Sequence, residues 1–213
     1  MTETITPEET PSVRRPIRWR YGLVIIPLVV AGLVFWWGYN RSQPHQFSGT
    51  VLQSVTAPDF TLESDRGPVS LSDYEGQMVL LYFGYTFCPD VCPTTLTDLA
   101  AAMDDLNEGD AEDVQVVMVT IDPGRDDAQR VGEYVRYFDE SFVGLTGSEE
   151  EIGSVATLYG IYYRAGEGTE ATGYLMEHTP TVLVVDREGN LRLVIPFGAE
   201  ADAVAADLEY MMR

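Results

Sequence analysis

The hydrophobic pattern of the chain changes character near residue 40. Before that point, Tyr21–Tyr39 reads YGLVIIPLVVAGLVFWWGY, nineteen residues without a charge. As a helix rising about 1.5 Å per residue it would be roughly 28 Å long, close to the about 30 Å of bilayer hydrocarbon. Arg41–Thr56 is polar, carries Pro44 and Gly49, and reads as a stalk. From Ala57 onward the pattern is that of a packed domain. DFTLESDRGPVSL alternates apolar and polar positions about a Gly-Pro turn, which predicts a small hairpin. MVLLYFGY (Met78–Tyr85) and VQVVMVTID (Val114–Asp122) are continuous apolar runs, as expected of strands buried on both faces. A helix is predicted from about Pro93 to Leu106, with Pro93 at the first helical position, where its missing N–H costs nothing. Further helices are predicted over Asp127–Phe138, with Asp126 or Asp127 at the cap, and over Ser148–Tyr159, where Ser148 and Glu151 have capping-box spacing. TVLVVD and LRLVIPF flank REGN as a second hairpin, and a helix over about Ala199–Met212 closes the chain. Strand–helix alternation followed by a hairpin and a helix predicts an α/β domain with a central mixed sheet and helices on both faces. No internal repeat is visible.

The flanks of the apolar run sharpen its reading. Trp19 and Tyr21 stand at one end and Trp36, Trp37 and Tyr39 at the other, as in interfacial aromatic belts. Arg14, Arg15, Arg18 and Arg20 precede the run and only Arg41 follows closely, a bias that keeps the N-terminus in the cytoplasm. A cleaved signal peptide fits less well, because the run exceeds the usual roughly 7–15 apolar residues and no small-x-small site ends it. The expected organisation is a cytoplasmic tail at 1–20, a transmembrane helix at 21–39, a stalk at 40–56 and an extracytoplasmic domain at 57–213. His45, in the stalk, is expected to be solvated and without a role.

Charge excludes one class of partner. The chain has 34 acidic residues against 13 basic ones, all of them arginine, for a net charge of −21. A polyanion is repelled by such a surface, so nucleic acid is not an expected partner. The acidity itself reads as a solubility adaptation or as a docking face for a basic partner.

The candidate chemistry lies in FGYTFCPDVCP (Phe83–Pro93), which holds the only two cysteines, Cys88 and Cys92. They follow a buried strand and lead into a helix N-terminus, where N–H groups and the macrodipole favour thiolate. Pro89 and Pro93 restrict the turn between them. A purely structural disulfide over so short a loop would remove little chain entropy. Two close thiols otherwise form a reversible disulfide or hold a soft metal. A third ligand would separate these readings. The one histidine outside the stalk is His178, in MEHTPTVLVVD, before a strand expected to lie beside Val79–Tyr85. It is either that ligand or a plain loop histidine. Two sulfurs and an imidazole suit Cu(I). Zinc would want a fourth ligand, and the sequence points to none.

These stretches resemble the Sco/SenC family, thioredoxin-fold copper chaperones that help assemble the binuclear copper centre of cytochrome c oxidase. The resemblance rests on DFTLESDRGPVSLSDYEGQMVLLYFGYTFCPDVCPTTL, VTIDPGRDDAQRVGEYVRYF and YLMEHTPTVLVVDREG, in the family's order, across nearly all of Ala57–Met212. It implies a thioredoxin-like fold, copper as Cu(I) with Cu(II) as a second state, and Cys88, Cys92 and His178 as the metal ligands. It also implies tethering by one N-terminal membrane helix. The implied partners are the copper-bearing subunit of cytochrome c oxidase and a copper donor. The implied activity is carriage of metal, outside enzymology in the strict sense. Thr179-Pro180-Thr181 is closer to the cis-proline segment of thioredoxins, which makes a cis Thr179–Pro180 bond an expectation and keeps thiol–disulfide exchange through Cys88 and Cys92 as the alternative. Against a dedicated oxidoreductase stands the three-residue cysteine spacing, where thioredoxin-like enzymes use two. A peroxidase on a related fold, which would need one cysteine and no His178, is the third reading. Tyr85, Thr86 and Asp90 are expected to shape the loop, and Asp122–Asp126 to be structural or to stand behind the ligands. Gly160–Glu177 is expected as an insertion, a hairpin over the site.

Overall fold

The computed structural model describes residues 18–41, 44–167 and 173–213. They form two compact units, one ending at Pro44 and one running from His45 to Arg213. The first contains helix α1 (Arg18–Arg41), interrupted by no break at Pro27. Its apolar side chains Ile26, Leu28, Val29, Val30, Leu33, Val34, Phe35, Trp36 and Trp37 are exposed. Of the expected tail, residues 1–17 lie outside the described residues, as do the side chains of 21–25 and 39 in the expected span. Among the described residues no helix is long and apolar enough to cross a membrane.

The second unit is built on a six-stranded mixed sheet, the α/β arrangement expected. In space it is ordered β1 (Thr50–Thr56), β10 (Asn190–Pro196), β9 (Thr181–Val185), β4 (Met78–Gly84), β5 (Val114–Thr120), β6 (Val143–Leu145). β4, β5 and β6 are parallel, and β9, β10 and β1 pair antiparallel. β4 is central and buried at every position, which is why its sequence is apolar without alternation. Each large side chain fully buried there is worth roughly 1.5–3 kcal/mol of transfer free energy. Helix α2 (Val91–Asp105) packs beside α6 (Ala201–Met211), and α4 (Ala128–Arg136) packs on β6. α5 (Glu149–Leu158) starts at the expected capping box, in which the Ser148 side chain accepts the Glu151 N–H and the Glu151 carboxylate accepts the Ser148 N–H.

The short hairpin is β2 (Thr61–Ser64) with β3 (Gly67–Ser70), but its turn is Asp65–Arg66. Gly67, at φ +114°, begins the returning strand in a conformation that side chains rarely adopt. The REGN hairpin is organised by Asp186. Its carboxylate accepts the N–H groups of Glu188 and Asn190 and pairs with Arg192.

Two expectations need correction. Residues 50–56, read as stalk, are β1, an edge strand on β10. Six of its seven residues are exposed, so no apolar alternation marked it. His45, read as solvated, is docked on α6. Its Nε2 lies 2.6 Å from a carboxylate oxygen of Asp207, and its ring stacks on Tyr210 at 4.4 Å. Asp207 is 1% exposed and also accepts the Ser48 N–H and hydroxyl. A buried carboxylate needs such donors, and the segment from His45 supplies them.

Candidate metal centre

Topology brings the three candidate residues together. Cys88 follows β4 at its C-terminal end. Because β9 is antiparallel to β4, its N-terminal end, which follows His178, lies at the same end of the sheet, with Tyr82 opposite Val182. His178 itself closes β8 (Met176–His178), paired with β7 (Tyr163–Ala165) in register Tyr163↔His178. The expected insertion hairpin is this β7–β8 pair, and its tip at 168–172 lies outside the described residues. Thr179 N–H donates to the Tyr162 carbonyl, which continues the pairing past His178.

Helix α2 begins two residues before the expected start. Val91 is its first residue, Cys92 its second and Pro93 its third. Proline is tolerated there because the first four N–H groups of a helix lack intrahelical partners. The preceding Asp90 makes no side-chain cap. Instead, the Cys92 N–H donates to the sulfur of Cys88 at 3.2 Å. The cysteine loop thus caps its own helix with a sulfur.

The ligand atoms of Cys88, Cys92 and His178 lie within 4.8 Å of one another. Both cysteines are free, Cys88 half-buried and Cys92 buried. Cys92 Sγ and His178 Nε2 are 3.8 Å apart. For three ligands in a plane about one ion, with zinc-like metal–sulfur near 2.3 Å and metal–nitrogen near 2.0 Å, the separation would be about 3.7 Å, close to that found. His178 Nδ1 is 3.2 Å from the Thr179 carbonyl oxygen. When Nδ1 carries the ring proton and donates it there, Nε2 turns its lone pair toward the sulfurs. Two sulfurs and one imidazole form a donor set that can hold copper.

The two thiols are electrostatically unequal. Cys88 is pushed down to about 4, chiefly by the hydrogen bond from the Cys92 thiol, with further help from His178 and the N–H groups of Asp90 and Cys92, against the opposing effect of burial. Cys92 is driven up, first because it is the donor to Cys88 and then by burial. The two shifts favour the proton on the buried sulfur of Cys92 and thiolate at the half-buried Cys88.

The loops behind the ligands are fixed by buried polar groups. Asp126, with no exposed surface, accepts the Thr86 N–H at 2.9 Å, the Thr86 hydroxyl and the Thr120 hydroxyl at 2.7 Å. It ties the cysteine loop to the end of β5, while Asp127 caps α4. Asp122 pairs with Arg125 and accepts the Tyr174 hydroxyl at 2.7 Å. Arg125 donates to the Tyr174 carbonyl, and its guanidinium lies 3.7 Å from the Tyr174 ring centroid and 4.8 Å from that of Phe87. It thereby joins the hairpin that carries His178 to the loop that carries Cys88. Asp122–Asp126 is expected from the sequence to be structural or to stand behind the ligands; the sequence does not show Arg125 as a link between the two ligand-bearing segments, since only the fold places Tyr174 and Phe87 on it. Gly84 was also missed. A Cβ there would stand 3.1 Å from Cys92 Sγ and 2.7 Å from Tyr82 Cε1, so only glycine fits behind the sulfur.

The Thr179–Pro180 bond is trans, since no described peptide bond is cis. Only these two residues join β8 to β9, and the residue before a proline favours the extended backbone such a link requires.

The family model described as SCO1/SenC matches residues 49–213. The chain belongs to the SCO1/SenC family. Among curated SCO relatives, it is 40% identical over 137 residues to the mitochondrial SCO1 homolog 1 of Arabidopsis thaliana, a match that covers 64% of this chain and 41% of that protein. It is 35% identical over 178 residues to the mitochondrial SCO2 homolog of Mus musculus, across 80% of this chain and 70% of that one. Among solved structures, apo Sco1 from Thermus thermophilus superimposes with a TM-score of 0.72 at 41% identity, covering 78% of this chain and 97% of that one. Arabidopsis thaliana ScoI with copper bound superimposes with a TM-score of 0.70 at 37% identity, covering 75% and 99%. The SCO1/SenC domain begins at residue 49, so the family match takes in β1 as the structure does.

Proposed function

We propose that the chain is a membrane-anchored Cu(I) carrier that delivers copper to the binuclear copper centre of cytochrome c oxidase during its assembly. The observation that carries this reading is the convergence of Cys88, Cys92 and His178 within 4.8 Å. Support comes also from the Arabidopsis relative whose structure holds copper. Cu(I) is the cargo. Half-buried Cys88 meets the partner's ligands first, and buried Cys92 releases last. His178, on its own hairpin, is the ligand able to leave without disturbing the sulfurs. The anchor is Tyr21–Tyr39, supported by its nineteen uncharged residues and the arginines before it. The N-terminus is then cytoplasmic and the domain lies outside, facing the acceptor subunit and a copper donor.

The second reading is thiol–disulfide exchange, favoured by the half-buried Cys88 thiolate. Cys88 sulfur would attack a partner disulfide and form a mixed disulfide. Cys92 would then attack Cys88, its proton passing to the released partner thiolate. The partner gains two electrons and the chain is left as its disulfide.

His178→Ala separates the two. Removal of a ligand should weaken Cu(I) retention against a chelator by at least about tenfold, as even changes behind a ligand do, while the Cys88–Cys92 disulfide still forms. If copper retention and oxidase assembly both survive the change, the carrier mechanism drawn here fails.

A further inference from the structure

Tyr82 lies in β4 with no exposed surface, and its hydroxyl makes no hydrogen bond of proper geometry among the described residues. A buried, unsatisfied hydroxyl is destabilising, so its presence calls for a state in which it is satisfied. Its position names that state. The ring edge and the Cys92 sulfur flank the same point over Gly84, where a Cβ would be 2.7 Å from Cε1 and 3.1 Å from Sγ. The ring also stands edge-on to His178, with centroids 6.4 Å apart. The polar groups facing the hydroxyl are the Cys92 sulfur and the Thr95 hydroxyl. Thr95 directs its own proton to the Val91 carbonyl at 2.9 Å. A thiol sulfur is a weak acceptor, whereas a metal-bound sulfur is a thiolate and a strong one.

We propose that the Tyr82 hydroxyl donates a hydrogen bond to the Cys92 sulfur when that sulfur holds a thiophilic ion, which makes Tyr82 a positioning residue for the cargo. The inference rests on the reading above that Cys92 is a ligand. The empty site leaves the hydroxyl unsatisfied; the loaded site gives it a charged acceptor. The two states therefore respond oppositely to loss of this one oxygen.

Tyr82→Phe removes only that atom. The test uses the full chain, reduced and in detergent, with Cu(I) and Cd(II) as separate probes held against a chelator. In the empty protein, Tyr82→Phe should leave the melting temperature unchanged or raise it. In the loaded protein it should weaken retention of both ions about tenfold and move the sulfur-to-cadmium charge-transfer band to longer wavelength, because the sulfur donor orbitals lose a stabilising proton. Thr95→Val should retain both ions as the unaltered chain does. Equal retention with an unmoved band overturns the proposal. So does a fall in the empty protein's melting temperature, which would mean the hydroxyl is already bonded there, and so does a Thr95→Val loss equal to that of Tyr82→Phe. If the unaltered chain holds Cd(II) in a Tyr82-dependent way but not Cu(I), the copper reading fails and the role of Tyr82 stands.

Discussion

The backbone N–H of Cys92 donates to the sulfur of Cys88 at 3.2 Å, so one candidate ligand serves as the helix cap for the segment that carries the other. That N–H favours thiolate at Cys88 alongside the larger effect, the hydrogen bond from the Cys92 thiol.

That relationship sets a pH dependence. Cys88 is depressed from 9.0 to about 4 and Cys92 is raised, so between about pH 4 and 9 the folded pair holds one proton while the unfolded thiols hold two. Stability rises with pH where the unfolded state binds more protons. The pair's contribution should therefore grow from pH 4 to 9. Above 9 the unfolded thiols lose both protons while the folded pair keeps one, and the contribution should fall. Melting temperatures of the reduced chain compared with Cys88→Ser across this range give the difference. Iodoacetamide should alkylate Cys88 selectively even at pH 6. A flat difference curve, or equal labelling of both cysteines, would refute the assignment.

Asp126→Ala should be among the more damaging single substitutions. It leaves the Thr86 N–H and the Thr120 hydroxyl without their acceptor in the interior. The loss of hydrogen bonds to a buried charged group suggests about 3 kcal/mol or more. At about 2–4 °C per kcal/mol for a domain of this size, the melting temperature should drop by about 6–12 °C. A change below about 2 °C would mean that the Thr86 loop is held by something else.

Asp207→Ala should release the segment from His45 to Ser48, because it removes the acceptor of three donors there. Limited proteolysis should then cut between Pro44 and Thr50, where the unaltered chain resists. Substitution of His45 by alanine should have a smaller effect in the same direction, since the two Ser48 bonds remain. Unchanged cleavage in Asp207→Ala would show that the stacking of His45 on Tyr210 and the packing of Phe47 suffice alone.

Much of the fold was legible because burial on both faces writes continuous apolar runs. Met78–Gly84 and Val114–Thr120 are the clearest cases. Local devices were equally readable, such as the capping box at Ser148 and Glu151, whose partners are three residues apart. β1 was not, because an edge strand with most of its side chains in solvent carries no apolar alternation. His45 was misread for a related reason. Its partner Asp207 is far along the chain, and nothing local distinguishes a docked polar segment from a free one. α2 starts two residues before Pro93 because a cysteine sulfur caps it, and proline, which suits the first helical position, is also tolerated at the third.

The sequence by itself determined the chemistry available: two sulfurs in one tight loop, one histidine before a core strand, and an acidic surface with no lysine. Those are properties of residue type and short spacing. Tertiary structure decided what the chemistry can do together. The antiparallel pairing of β9 with β4 brings His178, 86 residues from Cys92, to 3.8 Å from its sulfur. The same packing leaves the Tyr82 hydroxyl facing that sulfur, clears the space over Gly84, and threads Arg125 between Tyr174 and Phe87. Distances of this kind depend on strand order and on which faces meet in the core, and no local pattern along the chain encodes either.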